Sequence, residues 1–143
     1  YTGLRRLAKN ILHDVVGRYL DRDRAGLATL RAIHAFPPRM AEAMASKDIG
    51  RFGELVQAAW SLKKEIDPDA TTGVIEGILA AAGPGVEGAA LLGAGGGGFL
   101  LFVAGSAADA AAVRARLEKA PPNDRARFFD FGVSGEGLAV TAC

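Results

Sequence analysis

Apolar residues in the first half of the chain recur at three- and four-residue intervals, which is the spacing of amphipathic helices. The clearest run covers residues 4–20, and a second begins near Arg24. Pro37 and Pro38 interrupt this second run, because proline inside a helix costs about 3 kcal/mol. The pattern therefore predicts a break near Phe36 and a new helix that starts at the prolines.

Two further helices are indicated by residues that can cap their first turns. Asp48 precedes an apolar stripe, and Thr71 or Thr72 precedes a short apolar segment that ends before Gly83. A side-chain oxygen at this position accepts a hydrogen bond from a free backbone N–H of the first turn. Residues 3–83 are therefore predicted to be mainly helical.

The second half changes to short apolar segments bounded by glycine, which are typical of strands. The pattern predicts strands at 86–92, 99–104, 127–134 and 138–142, with an alanine-rich helix capped by Ser106 between the second and the third. The order after the helices is β-β-α-β-β. Short connections between consecutive strands imply mostly antiparallel pairing and the α+β class.

Composition narrows the class of protein further. The 143 residues are long enough for a single domain with its own core, and a formal charge of +1 offers no basic surface for nucleic acid or an anionic membrane. No apolar run approaches the roughly 18 residues that cross a bilayer. Cys143 cannot form an internal disulfide, which favours a cytoplasmic location. His13 and His34 lack metal-ligand spacing, so no metal site is expected.

The most unusual segment is Gly93-Ala94-Gly95-Gly96-Gly97-Gly98, between the first two predicted strands. Glycine loses more backbone entropy on folding than any other residue. A glycine cluster at this position therefore indicates a need for bare backbone, through a positive φ or a very close neighbour.

Two familiar nucleotide motifs do not fit this segment. It matches G-x-G-x-x-G, but that fingerprint must lead into a helix, whereas an apolar strand is predicted after Gly98. A Walker A loop needs Lys followed by Ser or Thr after the last glycine, and neither is present. A loop whose N–H groups approach an anion or another backbone remains open, as does a turn without a ligand.

The residues around this loop resemble those of a known family. The segment from Gly88 to Phe99 resembles the third conserved motif of the GHMP small-molecule kinases, and Tyr1–Ala8 resembles the Thr-Gly-x-x-Arg-x-Ala segment of their sugar kinase branch. The stretch 60–72, with its Trp-x-x-Lys-Lys, Asp-Pro and Thr-Thr pairs, is similar to L-fucose kinases. Phe129-Asp130-Phe131 is also similar to the end of the L-fucose kinases. Heptose 7-phosphate kinases share the Trp-x-x-Lys-Lys part.

This resemblance implies a ferredoxin-like α+β fold with added helices, the C-terminal domain of a GHMP kinase. The first strand of that fold normally runs into the Thr2-Gly3 segment, so we expect it to be largely missing from this chain. The family's ATP-binding domain and its catalytic aspartate, where one exists, lie upstream. No catalytic residue is therefore expected within residues 1–143, and the isolated chain is expected to be inactive.

The implied activity is transfer of a phosphoryl group from ATP, with Mg²⁺, to the anomeric hydroxyl of L-fucose or a similar sugar. The loop 93–98 would line the site of transfer. Many relatives carry lysine where this chain has Ala90, so a charge expected beside the loop is absent at that position. Two alternatives are a heptose 7-phosphate kinase and a non-catalytic ferredoxin-like binding or interaction module.

Further residues are candidates for contact with the substrate or with the partner domain: Thr2, Gly3, Arg6, Trp60 and Lys63. Arg6 could equally be a solvated helix charge, and an aromatic residue such as Trp60 more often packs in a core. An apolar patch is expected beside the glycine loop. It would face the N-terminal domain of the same protein, or a second copy in a homodimer.

Overall fold

The computed structural model describes residues 1–4, 9–93, 95–133 and 135. Helices dominate the first half, and a hairpin followed by one helix forms the second. In chain order the elements are α1 Lys9–Leu20, α2 Arg24–His34, α3 Phe36–Ala45, α4 Ile49–Ile66, a 3-10 turn Pro68–Ala70, α5 Gly73–Ala82, β1 Val86–Leu91, β2 Leu100–Ala104 and α6 Ala107–Lys119.

The predicted helix starts are confirmed by their hydrogen bonds. Asp48, Thr72 and Ser106 each accept a hydrogen bond from the backbone N–H three residues on, at 2.9, 3.3 and 3.1 Å. Thr72 is thus the cap of α5, not Thr71. The break at Phe36 is also confirmed, since α3 begins there with the prolines in its first turn, where a missing N–H costs nothing.

β1 and β2 pair antiparallel, with Leu91 opposite Leu100 and an irregularity between Val86 and Gly88. The predicted α+β class and antiparallel hairpin are confirmed. None of the described residues in the range 127–133 forms a strand, so that prediction is wrong.

The described residues of this segment form no strand because they lack a continuous ladder of backbone hydrogen bonds to a neighbouring strand. Arg127 exchanges two backbone hydrogen bonds with Tyr1, at 2.7 and 3.1 Å, and the described residues 128–133 do not extend this pair into a strand. A segment becomes a strand only where a neighbour continues the pairing. Phe131 and Val133 are 80% and 93% exposed. The predicted strand 138–142 lies outside the described residues.

Three groups of buried side chains form the core. The first centres on Trp60 and Ile75, which are 1% and 0% exposed. The second joins α5 to α6, and the third joins α3 to α4. Because α4 contributes to the first and the third, it connects the helical half to the hairpin.

The contact of α4 with β1 is made backbone to backbone. A Cβ at Gly88 would lie 1.9 Å from the carbonyl oxygen of Gly53, and a Cβ at Gly53 would lie 2.5 Å from Glu87 Cβ. Gln57 of α4 accepts a hydrogen bond from the N–H of Ala89 at 3.2 Å. Glycine is required at both contact positions because of this close approach.

We predict that Gly88→Ala destabilises the chain by about 1–3 kcal/mol or more, because the added methyl group overlaps backbone that cannot move alone. Gly77→Ala is the matched control, since a Cβ at this helical position meets nothing within 4 Å. The control should stabilise the chain by about 0.5–1 kcal/mol. Urea unfolding followed by circular dichroism measures both, and equal effects of the two variants would contradict the close contact.

Candidate functional site

The glycine-rich loop joins β1 to β2 and has an unusual backbone. Gly93, Gly95, Gly96 and Gly98 have φ values of +82°, +128°, +71° and +104°. These values are rarely adopted by residues with a side chain. The conformation alone therefore accounts for glycine at four positions of the run.

Close neighbours inside this chain are a second reason why the loop requires glycine. A Cβ at Gly95 would lie 2.7 Å from Ala70 Cα, and one at Gly97 would lie 2.9 Å from the carbonyl oxygen of Leu4. The N–H of Gly96 donates to the carbonyl of Ala70 at 2.7 Å. The loop is thus held between the 3-10 turn on one side and the first residues of the chain on the other.

Thr2 fixes the second end of the loop. Its side chain is buried, and its backbone N–H and its hydroxyl both donate to the carbonyl of Gly98, at 2.8 and 3.0 Å. The N–H of Gly98 donates to Leu4 O and lies 3.2 Å from the Thr2 hydroxyl oxygen. Thr2 therefore supports the loop through its hydrogen bonds to Gly98.

Gly3 is required for the same support. Its φ is +76°, and a Cβ there would lie 1.9 Å from the Asn123 side-chain oxygen. The amide nitrogen of Asn123 donates to the carbonyl of Thr2 at 2.8 Å. The structure therefore brings Thr2 and Gly3 together with the loop, whereas Arg6 lies outside the described residues.

Lys63, in the last turn of α4, also reaches the loop. Its ammonium donates to the carbonyl of Gly93 and lies 5.6 Å from the centre of the Trp60 ring. Burial lowers the pKa of Lys63, while the carboxylate of Asp67 opposes this by raising it. The structure places Trp60 in the core, in keeping with the packing role that was the alternative to a site role.

Sequence reasoning missed the groups that hold the 3-10 turn against the loop. Glu76 accepts hydrogen bonds from the Thr71 hydroxyl at 2.7 Å and from the Lys64 ammonium at 3.1 Å. The Thr71 hydrogen bond is the main reason that the pKa of Glu76 is lowered. This network links α4 to α5 across the turn that carries Ala70. It could not be predicted from a local sequence motif.

The surroundings of the loop are largely apolar. Leu92 and Phe99, at its two ends, are 49% and 45% exposed. The ring of Phe99 packs against Tyr1 in a tilted contact and against Phe129 edge to face, with ring centres 5.3 and 5.4 Å apart. An apolar groove of about 800 Å³ runs from these rings between β2 and α6. The expected apolar surface is therefore present beside the loop.

Among the described residues, the arrangement at the loop offers bare backbone and the Lys63 ammonium. Within the described ranges no three His, Cys, Asp or Glu side chains are grouped so that they could hold a metal ion. Nor does any described helix have the length and apolar character needed to cross a membrane. The loop can bound a site, and the Lys63 ammonium is the group beside it that could attract an anion.

We predict that Thr2→Val loosens the loop, because the isosteric change removes the buried hydroxyl that bonds to Gly98. The cost should be about 1–3 kcal/mol, with faster amide exchange at Gly98. Thr29→Val is the control, since that hydroxyl bonds only to its own helix at Ala25, and it should change stability by less than about 0.5 kcal/mol. Equal exchange at Gly98 in the two variants would contradict the support role.

Comparison with known proteins agrees with this geometry. A family model described as GHMP kinases, C terminal, matches residues 40–123. The chain is 34% identical over 119 residues to a bifunctional fucokinase/GDP-fucose pyrophosphorylase of Arabidopsis thaliana, and 33% identical over 141 residues to an L-fucokinase/L-fucose-1-P guanylyltransferase of Bacteroides fragilis. These matches cover 83% and 99% of the chain, but only 11% and 15% of the length of the two relatives.

A solved structure shows the same fold. The mevalonate kinase of L. major, in complex with R-mevalonate, superposes with a TM-score of 0.69 at 23% sequence identity. The match covers 85% of this chain and 37% of that one. It supports the fold of helices around an antiparallel hairpin and nothing about substrate.

Proposed function

Because this chain belongs to the GHMP kinase family, as its C-terminal part, we propose that it is the substrate-side domain of an ATP-dependent sugar kinase. The sugar is L-fucose or a close analogue, and the acceptor is its anomeric hydroxyl. The observation that carries this proposal is the identity of 33–34% with two fucokinases over most of the chain. A heptose 7-phosphate kinase is the related alternative, and substrate competition on the full-length protein separates the two.

The geometry of the loop supports a part in phosphoryl transfer. This reaction depends on positioning and on stabilising negative charge more than on covalent chemistry by the protein. The backbone of Gly95–Gly98 forms a wall that is held on both sides within this chain, and the Lys63 ammonium donates to the Gly93 carbonyl beside it. Such a wall can hold a phosphoryl group in line without supplying a base.

Within the described residues, the group at the loop that could bind a phosphate is the Lys63 ammonium. We infer that ATP and Mg²⁺ are bound mainly by an N-terminal domain of the same protein, which would also supply any general base. When bound, Mg²⁺ neutralises charge on the transferred phosphates. Leu92 and Phe99, exposed at the ends of the loop, would face that domain.

The groove beside β2 fits the first strand that the family resemblance implies. On one side of the groove, Tyr1 pairs with Arg127. On the other side, Thr2 bonds to Gly98, which lies two residues before β2 begins at Leu100. An extended segment that continues from Tyr1 would enter the groove between β2 and residues 127–131. We propose that this segment completes the sheet, and that pairing with a second copy of the chain is the alternative.

We predict that Gly96→Val reduces turnover of the full-length enzyme by at least a hundredfold. Gly96 is buried with a φ of +71°, so a β-branched residue must distort the loop. Gly77→Val, at an open helical position, should leave kcat within about threefold of the unchanged enzyme, since a solvent-exposed substitution rarely matters.

Thermal unfolding and circular dichroism must accompany these rates. A left-handed backbone costs a residue with a side chain roughly 1–2 kcal/mol, so Gly96→Ala serves as a milder second variant. If the folded Gly96 variants retain full activity, the proposed role of the loop is wrong.

The isolated 143 residues are predicted to phosphorylate no sugar, because both sides of the site are needed to align the reactants. The measurement is release of ADP with L-fucose and Mg-ATP present, with the full-length protein as the positive control. Turnover by the isolated chain would contradict the division of labour between the two domains.

A further inference from the structure

We propose that Lys63 is the phosphate-binding cation of the glycine loop, and that its ammonium contacts an anionic phosphate group at the entrance to residues 93–98. This inference rests on the proposed function and assigns a chemical role to a side chain of α4. Lys63 lies in the last turn of α4, and its ammonium already donates to the Gly93 carbonyl, where β1 passes into the loop.

Among the described residues, the positions next to Lys63 do not offer an equivalent charge. Lys64 lies at a similar distance from the Trp60 ring, 5.7 Å, but its ammonium is paired with Glu76 at 3.1 Å. On the β1 side of the loop, Ala90 is apolar and packs against the Trp60 group. Within the residues that the structure describes, Lys63 is the cation that hydrogen bonds to the loop.

The surroundings of Lys63 leave capacity for an anion. An ammonium has three N–H donors, and the Gly93 carbonyl takes one of them. The side chain is half-buried over the Trp60 ring, so water solvates it less well than a free lysine. A partly desolvated cation binds an anion more strongly than an exposed one.

Asp67 has a supporting role in this arrangement. Its side chain is 6% exposed, and one carboxylate oxygen accepts the N–H of Asp69 at 3.1 Å. The other oxygen, Oδ2, has no hydrogen-bond partner in the structure. Burial lowers the pKa of Lys63, and the charge of Asp67 opposes this shift by raising it, so Asp67 acts as a positioning residue that favours the charged ammonium.

A purely structural role for Lys63, as a tether for Gly93, is the competing explanation. The two roles differ in what they require of the side chain. A tether needs any donor that reaches the Gly93 carbonyl, and its loss would change stability alone. A phosphate-binding cation must change anion affinity, and Arg can replace Lys in that task because it also binds phosphate.

The first test is a titration of the ¹⁵N-labelled 143-residue chain with tripolyphosphate at constant ionic strength. Saturable shifts are expected at the amides of Gly95–Gly98, with a Kd at least fivefold weaker in Lys63→Met and near the original value in Lys63→Arg. Lys119→Met is the control, because this exposed lysine lies in the last turn of α6 and has no part in holding the loop, and it should keep the original Kd within twofold. The same Kd in the unchanged chain and in Lys63→Met, or shifts that do not saturate, would overturn the inference.

The second test uses the full-length protein and separates this inference from the proposed function. Lys63→Met should lower kcat at least tenfold, and Lys63→Arg should restore part of it. If the unchanged protein phosphorylates a sugar and Lys63→Met is equally fast, the inference about Lys63 fails while the proposed function stands. If no sugar is phosphorylated but tripolyphosphate still binds through Lys63, the proposed function fails and the anion site stands.

Discussion

The backbone contact between α4 and β1 is the constraint on which the rest of the structure depends. Gly53 and Gly88 let the helix lie directly against the strand. This close approach fixes the position of Trp60 against the hairpin and brings the end of α4 to the start of the loop. Lys63 and the 3-10 turn at Pro68–Ala70 follow from that placement, since both are at or just beyond the last turn of the helix.

The glycines of the loop satisfy needs that arise within this domain. Gly95 and Gly97 leave room for Ala70 and Leu4, and Gly96 bonds to Ala70 through its backbone. The glycine pattern predicts a bare backbone that serves a partner loop and a phosphate. In the structure the bare backbone lets the loop contact its neighbours within this domain, and we propose that a loop held in this way helps to align the reactants.

Local features of the fold could be predicted from the sequence because their causes are local. Asp48, Thr72 and Ser106 lie next to the turns they cap, and the prolines beside Phe36 act within one helix. The position of the glycine-rich loop between two strands could also be predicted, because six consecutive positions carry its pattern.

Features that depend on distant partners could not be predicted in this way. The supports at Ala70 and Asn123 come from residues far along the chain, and neither residue type suggests a role in a site. The strand expected at 127–134 failed because its apolar pattern gives no information about the neighbouring ladder. Trp60 and Lys63 both belong to a motif that suggests a site, and only the structure separates their roles: Trp60 is buried in the core, whereas Lys63 donates to the loop.

The central claim is that this domain builds, by itself, one wall of a phosphoryl-transfer site. The most direct measurement is a crystal structure of the full-length protein with a non-hydrolysable ATP analogue and L-fucose. The account predicts the terminal phosphate within hydrogen-bond reach, about 3 Å, of the Lys63 ammonium or of the loop 93–98, with the loop backbone as described. A terminal phosphate bound elsewhere, with this loop facing open solvent, would contradict it.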